Sequence, residues 1–244
     1  MPSLYREDLA YIHHVGFGDF AALAAPGILR LLRRSGITSG LIVDLGCGSG
    51  ILAEALLSAG YEVLGVDASP AMIRLARRQA PRGKFMTESL RTFRLAVCNA
   101  VTAIGESLNY RSATVSKIYP DTLFRRIFAA LRPGGVFVFD TAEPPLAHED
   151  NGKCTIAEGR DWMIASEKQA DCSRHRLTRR IIAYRKIGKL YRRSEEIHQL
   201  ELFKRSEVLE SLRASGFRVR VITAYGSQRL LQGRVGFVAT KPNQ

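Results

Sequence analysis

Apolar residues along this chain follow two rhythms. Short blocks such as Leu41 to Val43, Val63 to Val66 and Val136 to Phe139 suit parallel strands buried on both faces. Between them, apolar side chains recur every three or four residues, the spacing of a helix with one buried stripe. Blocks alternating with stripes predict an α/β fold built on a doubly wound parallel sheet. In chain order the expected strands are Leu41–Val43 closing on Asp44, Tyr61–Asp67, Phe85–Leu90, Val97–Ile104 and Val136–Asp140. The helices between them are Ile51–Leu57, stopped at Gly60, and one capped by Ser69, begun by Pro70 and ended by Pro81. A third, Asp121–Leu131, runs into the turn Arg132-Pro133-Gly134-Gly135.

Ahead of the first strand, Leu4, Leu9 and Ile12 share a helical face, and Asp19–Arg34 reads as helix restarted at Pro26. Beyond Asp140 the texture changes. Residues 143–160 read as loop, followed by β-rich, arginine-laden segments. Leu177–Ile187 and Leu190–Phe203 can pair about Gly188, with Trp162–Lys168 as a third strand. A helix, Ser206–Ala214, then stops at Gly216, and Phe217–Ile222 with Val235–Thr240 closes the sheet, the last strand antiparallel. The expected divisions of one domain over 1–244 are a helical cap (1–40), a core (41–142), a β insertion (151–203) and a closing helix and strand pair (204–244).

The stretch Leu41 to Gly50, Leu-Ile-Val-Asp-Leu-Gly-Cys-Gly-Ser-Gly, is the chemical centre of the sequence. Glycine tolerates positive φ and lets another group approach the backbone closely. Strand, glycine turn and helix together make a mononucleotide cradle at the carboxyl end of a strand. Asp67 ends the second strand 17 residues after Gly50, near the separation at which such folds present a carboxylate to a ribose diol.

An acid followed by Gly-x-Gly-x-Gly, as in Asp44 to Gly50, resembles the first motif of the class I S-adenosylmethionine-dependent methyltransferases. The glycine spacing differs from the Gly-x-Gly-x-x-Gly of dinucleotide folds, whose helix N-terminus faces a pyrophosphate. The methyl donor has no phosphate and carries a sulfonium and an ammonium, which a carboxylate suits. Asp67 to Ile73 resembles the second motif of the family, and Leu131-Arg132-Pro133-Gly134-Gly135 before a buried strand is another of its marks.

The resemblance implies a Rossmann-like seven-stranded methyltransferase sheet, last strand antiparallel, with the β insertion as a lid of the kind found in sugar-amine N-methyltransferases. It implies S-adenosylmethionine as cofactor and S-adenosylhomocysteine as product. The implied cofactor residues are Asp44, Gly46, Cys47, Gly48 and Gly50 of the turn, Asp67 at the ribose, and Ala68 and Met72 at the adenine. Ser89 and the Leu90 amide stand where the adenine edge is met, Ala103 and Ile104 beside the methionine part, and Tyr5, Tyr11 and His14 in a segment folded over it. For the proton an acceptor must lose, a histidine near neutral pKa is suited. Tyr110, His198 and Glu196 are the catalytic candidates, with His13 and His14 behind them.

The expected reaction is in-line methyl transfer to a nitrogen or oxygen of a small molecule. RNA or protein methylation, or a non-catalytic nucleotide-binding module, are the alternatives. The Asn/Asp-Pro-Pro-aromatic tetrapeptide of exocyclic-amine methyltransferases is absent after the fourth strand, and the Pro144-Pro145 pair follows the next one. The net charge of +13 bears on the partner. Residues 1–150 carry 16 basic and 14 acidic side chains, and 151–244 carry 20 and 9, so the excess lies outside the cradle. Aromatics are not interleaved with it as a stacking platform, which speaks against nucleic acid. No apolar run nears the ~20 residues of a membrane span, and no signal-peptide pattern opens the chain. A cytoplasmic protein without membrane contact is expected. Cys47, Cys98, Cys154 and Cys172 have no paired spacing, so no metal site or disulfide is expected. The oligomeric state stays open, with a dimer as one expectation.

Overall fold

A computed structural model describes residues 4–111, 120–144 and 152–243. Two helices lead the chain, α1 (Glu7–Phe17) and α2 (Asp19–Arg34). Strands and helices then alternate as β1 (Leu41–Leu45), α3 (Ile51–Ser58), β2 (Glu62–Asp67), α4 (Pro70–Gln79), β3 (Lys84–Thr87), β4 (Cys98–Ala103), α5 (Asp121–Ala130) and β5 (Leu131–Ala142). Four long strands follow: β6 (Cys154–Gly159), β7 (Trp162–Asp171), β8 (Arg176–Ile187) and β9 (Leu190–Glu201). The chain closes with α6 (Arg205–Ala214), β10 (Arg218–Ile222), the short pair β11 (Ala224–Tyr225) and β12 (Gln228–Arg229), and β13 (Arg234–Thr240).

The first sheet runs β10-β13-β5-β4-β1-β2-β3, with β13 antiparallel to both neighbours. This is a Rossmann-like doubly wound sheet with an antiparallel last strand. Alternate residues of its strands feed two cores, because strand side chains point to opposite faces. Ile42, Val136 and Val138 pack with Ala24, Ile28, Leu32, Leu56 and Ile73 of α2, α3 and α4. Val43, Leu45, Phe137 and Phe139 pack with Phe124 and Ile127 of α5 and Val208 and Leu212 of α6. Phe137 stacks on Phe139 with ring centroids 4.2 Å apart, and Phe139 on Phe237 at 4.9 Å. Each such ring taken from water contributes about 1.5–3 kcal/mol.

The second sheet, β6-β7-β8-β9, is antiparallel throughout. It is joined to the first by Asn109, whose amide nitrogen donates to the carbonyls of Ala142 (3.1 Å) and Glu201 (2.6 Å) while its oxygen accepts from Ala142 N. Trp162 then wedges it onto α1 among Leu9, Ile12, Ile164 and Ile181. A Cβ on Gly16 of α1 or on Gly159 of β6 would collide with the Trp162 ring, so two glycines make its slot. Asp8, buried on α1, pairs with Arg185 of β8 and Arg192 of β9.

Several expectations change. Pro26 lies within one continuous helix; burial of Ala24, Ala25, Ile28 and Leu32 offsets the one lost backbone bond. Strand β3 ends at Thr87, leaving Glu88 to Leu90 beyond it. The Arg132 to Gly135 turn lies inside β5 as a bulge, since Cys98 pairs with Leu131 but Ala100 with Val136. Part of the expected 143–160 loop is strand β6, whose Ile156 and neighbours pair with β7. Residues 145–151, including Pro145, lie outside the described residues. The hairpin about Gly188 is as expected: Ile187 pairs with Leu190 and Gly188 has φ +62°. No single helix among the described residues is long and apolar enough to cross a membrane. The bent pair α1–α2 meets that test by length and composition, but the apolar side of α2 faces the core.

Candidate active site

The turn after β1 has Gly46, Gly48 and Gly50 at φ +71°, +52° and +82°, values that favour glycine. A Cβ on Gly46 would strike Ser107, and one on Gly50 would crowd Ala76 at 2.9 Å. One on Gly48 would meet nothing within 4 Å, so its backbone borders open space. The carboxylate of Asp67 lies on this space. Its Oδ2 accepts from Gly48 N (3.0 Å) and its Oδ1 from Ser69 N (2.8 Å). Each oxygen keeps a lone pair for a further donor. Burial pushes the Asp67 carboxyl up, and the two amides counter it.

Asp44 is buried, and Thr102 of β4 donates to its Oδ1 at 2.6 Å. Burial raises this carboxyl to about 6, against the pull of Thr102. A nearby cation would favour the carboxylate and draw this value back toward the ordinary range.

Past β4, the amides of Gly105 and Glu106 donate to the two oxygens of Asp140 at 2.8 Å each, and Tyr225 adds a third bond to Oδ1. Glu106, itself at φ +56°, takes Arg179 of β8 and Arg234 of β13 on its carboxylate. Burial pushes Glu106 upward, but the two guanidinium groups outweigh it and hold it below the usual range. This ion cluster links the two sheets where the strands of the first one end.

The segment before α1 crosses both regions. The carbonyl of Tyr5 accepts from Ser69 Oγ at 2.7 Å, beside Asp67. The amides of Tyr5 and Arg6 donate to Glu196 Oε2 (2.7 Å) and Oε1 (2.8 Å) on β9. The Tyr5 hydroxyl shares a 2.6 Å bond with that of Tyr110. Its ring lies 4.8 Å from that of His198 and 5.1 Å from His13. Tyr5 holds φ +51°, a costly conformation for a tyrosine that the surrounding bonds enforce.

His198 is fully buried, with Nε2 2.9 Å from Glu196 Oε2. Its Nδ1 has no hydrogen-bond partner among the described residues. Burial, with lesser help from His14 and His198, lowers His13 to about 4, so it is neutral. Burial raises both Tyr5 and Tyr110. The Tyr110 phenol is therefore a poor proton acceptor at neutral pH.

The structure thus brings together Tyr5, His13, Tyr110, Glu196 and His198, and sets His14 at the cradle, where its Nδ1 is 2.9 Å from Ser49 Oγ. It joins Tyr11 to the second sheet instead: its hydroxyl donates to Asp161 at 2.7 Å and Arg185 lies over its ring. Met72 is 2 % exposed, packed with Ala10 and Ala71 in the seam between α1 and α4, which leaves little of it for a ligand. Ala68 is exposed beside Asp67. Ser89 Oγ accepts from the Arg91 amide in a local turn, and Leu90 packs on the core. Ala103 is buried, and Ile104, half-buried, follows it. Cys47 is buried, its thiol pushed well up by burial and by the nearby carboxylates of Asp67 and Asp44. Glu196 is occupied by two amides and a histidine, so it holds other groups in place. Asp140, Glu106, Arg179 and Arg234 were not anticipated. Asp140 carried a readable sign, because it closes a buried strand just as Asp44 and Asp67 do. Among the described residues no group of three His, Cys, Asp or Glu side chains could hold a metal ion.

Residues 42–135 match the family of methyltransferase domains. A putative methyltransferase of Bacillus subtilis, YqeM, is 27 % identical over 191 residues, 76 % of each chain. A Streptomyces venezuelae dTDP-3-amino-3,4,6-trideoxy-α-D-glucopyranose N,N-dimethyltransferase is 24 % identical over 232 residues, 93 % of this chain and 97 % of its own. The crystal structure of an S-adenosylmethionine-dependent methyltransferase from Clostridium acetobutylicum superimposes with a TM-score of 0.82 at 16 % identity, over 98 % of this chain and 99 % of the other. The matched stretch holds the glycine turn, Asp67 and the strands around them.

Proposed function

We propose that this protein, an S-adenosylmethionine-dependent methyltransferase, places a methyl group on a nitrogen of a small-molecule acceptor while His198 takes the proton. The donor's groups fit the residues present. Asp67 has two free lone pairs for a ribose diol, Gly48 leaves room before it, and the carboxyl of Asp44 suits a cationic methionine end. Ala68, His14 and the backbone from Gly46 to Gly50 complete the binding set. When bound, the donor supplies a methyl carbon activated on a sulfonium and leaves as S-adenosylhomocysteine.

His198 is suited to the acceptor side. Glu196 accepts only, so Nε2 carries the proton and Nδ1 presents a lone pair. That atom is buried and unsatisfied, which is costly unless a donor such as an amine N–H completes it. A protonated amine is a far stronger acid than an alcohol hydroxyl, so the proton that an amine acceptor loses is within closer reach of an imidazole, whereas a hydroxyl needs a stronger base. Nitrogen is favoured for this reason, and the amino-sugar enzyme of Streptomyces venezuelae supports the choice. The second sheet, β6 to β9, acts as a lid that excludes water and shapes the acceptor site. Its arginines favour a small acceptor over RNA, since Arg179, Arg180, Arg185, Arg192 and Arg193 are engaged by carboxylates of the same chain.

The observation that carries this reading is Tyr5, which touches Ser69 beside the cradle and His198 on the lid at once. The test is an acceptor screen with matched amines and hydroxyl analogues, scoring S-adenosylhomocysteine release and methyl gain by mass. Turnover confined to amines is expected. Turnover only with hydroxyl compounds, RNA or protein would overturn the assignment.

A further inference from the structure

We infer that Glu196 is a positioning residue that couples the seating of the N-terminal segment to the tautomer of His198. This rests on the reading of His198 as proton acceptor. The carboxylate of Glu196 is 4 % exposed and holds three donors: Arg6 N on Oε1, and Tyr5 N with His198 Nε2 on Oε2. The Arg6 guanidinium adds an ion pair at 3.5 Å. A carboxylate has no proton to give, so its bond to Nε2 fixes the hydrogen there and leaves the lone pair on Nδ1. The two backbone amides set where that carboxylate points. Seating the segment therefore sets the base.

The connection runs through one short path. Residues 4–6 reach the cradle at Ser69, the lid at Glu196, and Tyr110 through the Tyr5 hydroxyl. Closing this segment over a bound donor and aiming His198 are one event, held by the same carboxylate. With the segment displaced, Glu196 loses two of its three donors and His198 is free to exchange tautomers. Proton uptake is then matched to the closed site, where water is excluded.

The test reads the histidine from both ends of this link in the full chain. Protein labelled with 15N in its histidine rings is compared with Glu196→Gln and Arg6→Pro. Arg6 has φ −65°, which proline shares, so that variant removes one amide donor of Glu196, the ion pair and the guanidinium bond to the Glu195 carbonyl while leaving the Glu196 and His198 side chains in place. In wild type the His198 ring signals are those of a single tautomer protonated at Nε2. In both variants they move toward tautomer averaging, amide exchange at Tyr5 quickens about tenfold, and kcat falls while the donor KM changes less. Wild-type His198 protonated at Nδ1, or ring signals unmoved in both variants, would overturn the coupling. His198→Ala separates the two readings: full turnover there defeats the proton-acceptor role itself, whereas lost turnover with unmoved signals in the other variants defeats only the coupling.

Discussion

The amide of Gly48 donates to Asp67 Oδ2 at 3.0 Å, tying the turn after β1 to the end of β2. The bond holds the carboxylate against open space. Gly48 itself sits at φ +52° with nothing within 4 Å of where a Cβ would project. Gly48→Ala is expected to fold, at a strain of about 1–2 kcal/mol, and to weaken donor binding at least about tenfold by filling that space. Thermal unfolding and donor titration on one preparation check both halves. A folded variant with undiminished affinity would remove Gly48 from the donor site.

Asp44 makes stability and function pull in opposite directions. Its carboxyl is raised to about 6 by burial, so the stability it lends is full below the ordinary carboxylate pKa and lost as pH rises through about 6. Asp44→Asn keeps an oxygen for Thr102 and avoids that loss. It is expected to unfold at higher urea than wild type at pH 7.5, by ~1–3 kcal/mol, with the gain vanishing toward pH 4. Donor affinity falls in the same variant. Because a bound cation favours the carboxylate, wild type should also release protons on donor binding near pH 6, read by calorimetry in buffers of different ionisation heat.

Trp162 is the wedge between α1 and the second sheet, seated against Gly16 and Gly159. Trp162→Ala is expected to cost about 3–5 kcal/mol. The loss should appear as a lower unfolding temperature, with faster amide exchange in α1 and β7. Unchanged exchange in α1 would show that the helix is held by its other contacts, Asp8 with Arg185 and Arg192 among them.

The parallel core was legible because local signals and burial agree there. Ser69 caps α4 by accepting from the Met72 amide with Pro70 at the first position, as its sequence context indicates. The β8–β9 hairpin followed from Gly188. Pro26 misled because local breaking tendency is outweighed by packing on both sides of it. Strand β6 was missed because Cys154 to Gly159 is mostly exposed and gains its order from pairing with β7. At the site, the turn with three glycines at positive φ beside open space could be read from Asp44 to Gly50. The contacts of Tyr5 with Glu196 and of Glu106 with Arg179 and Arg234 span the chain and have no local pattern. Tyr11, on the same helix as His14, turns to Asp161, a difference that helical phase alone did not assign.

Asp67 gives the most direct test of the central claim that this chain holds a ribose-bearing methyl donor. The measurement is calorimetric titration of S-adenosylmethionine and S-adenosylhomocysteine into wild type and Asp67→Ala, both checked for folding. Removing a buried carboxylate that accepts two hydroxyl bonds should cost about 1.5–3 kcal/mol, or roughly ten- to a hundredfold in affinity. Saturable binding to wild type with that loss in the variant is the predicted result. No saturable binding to wild type, or equal affinity in the two proteins, would contradict the account.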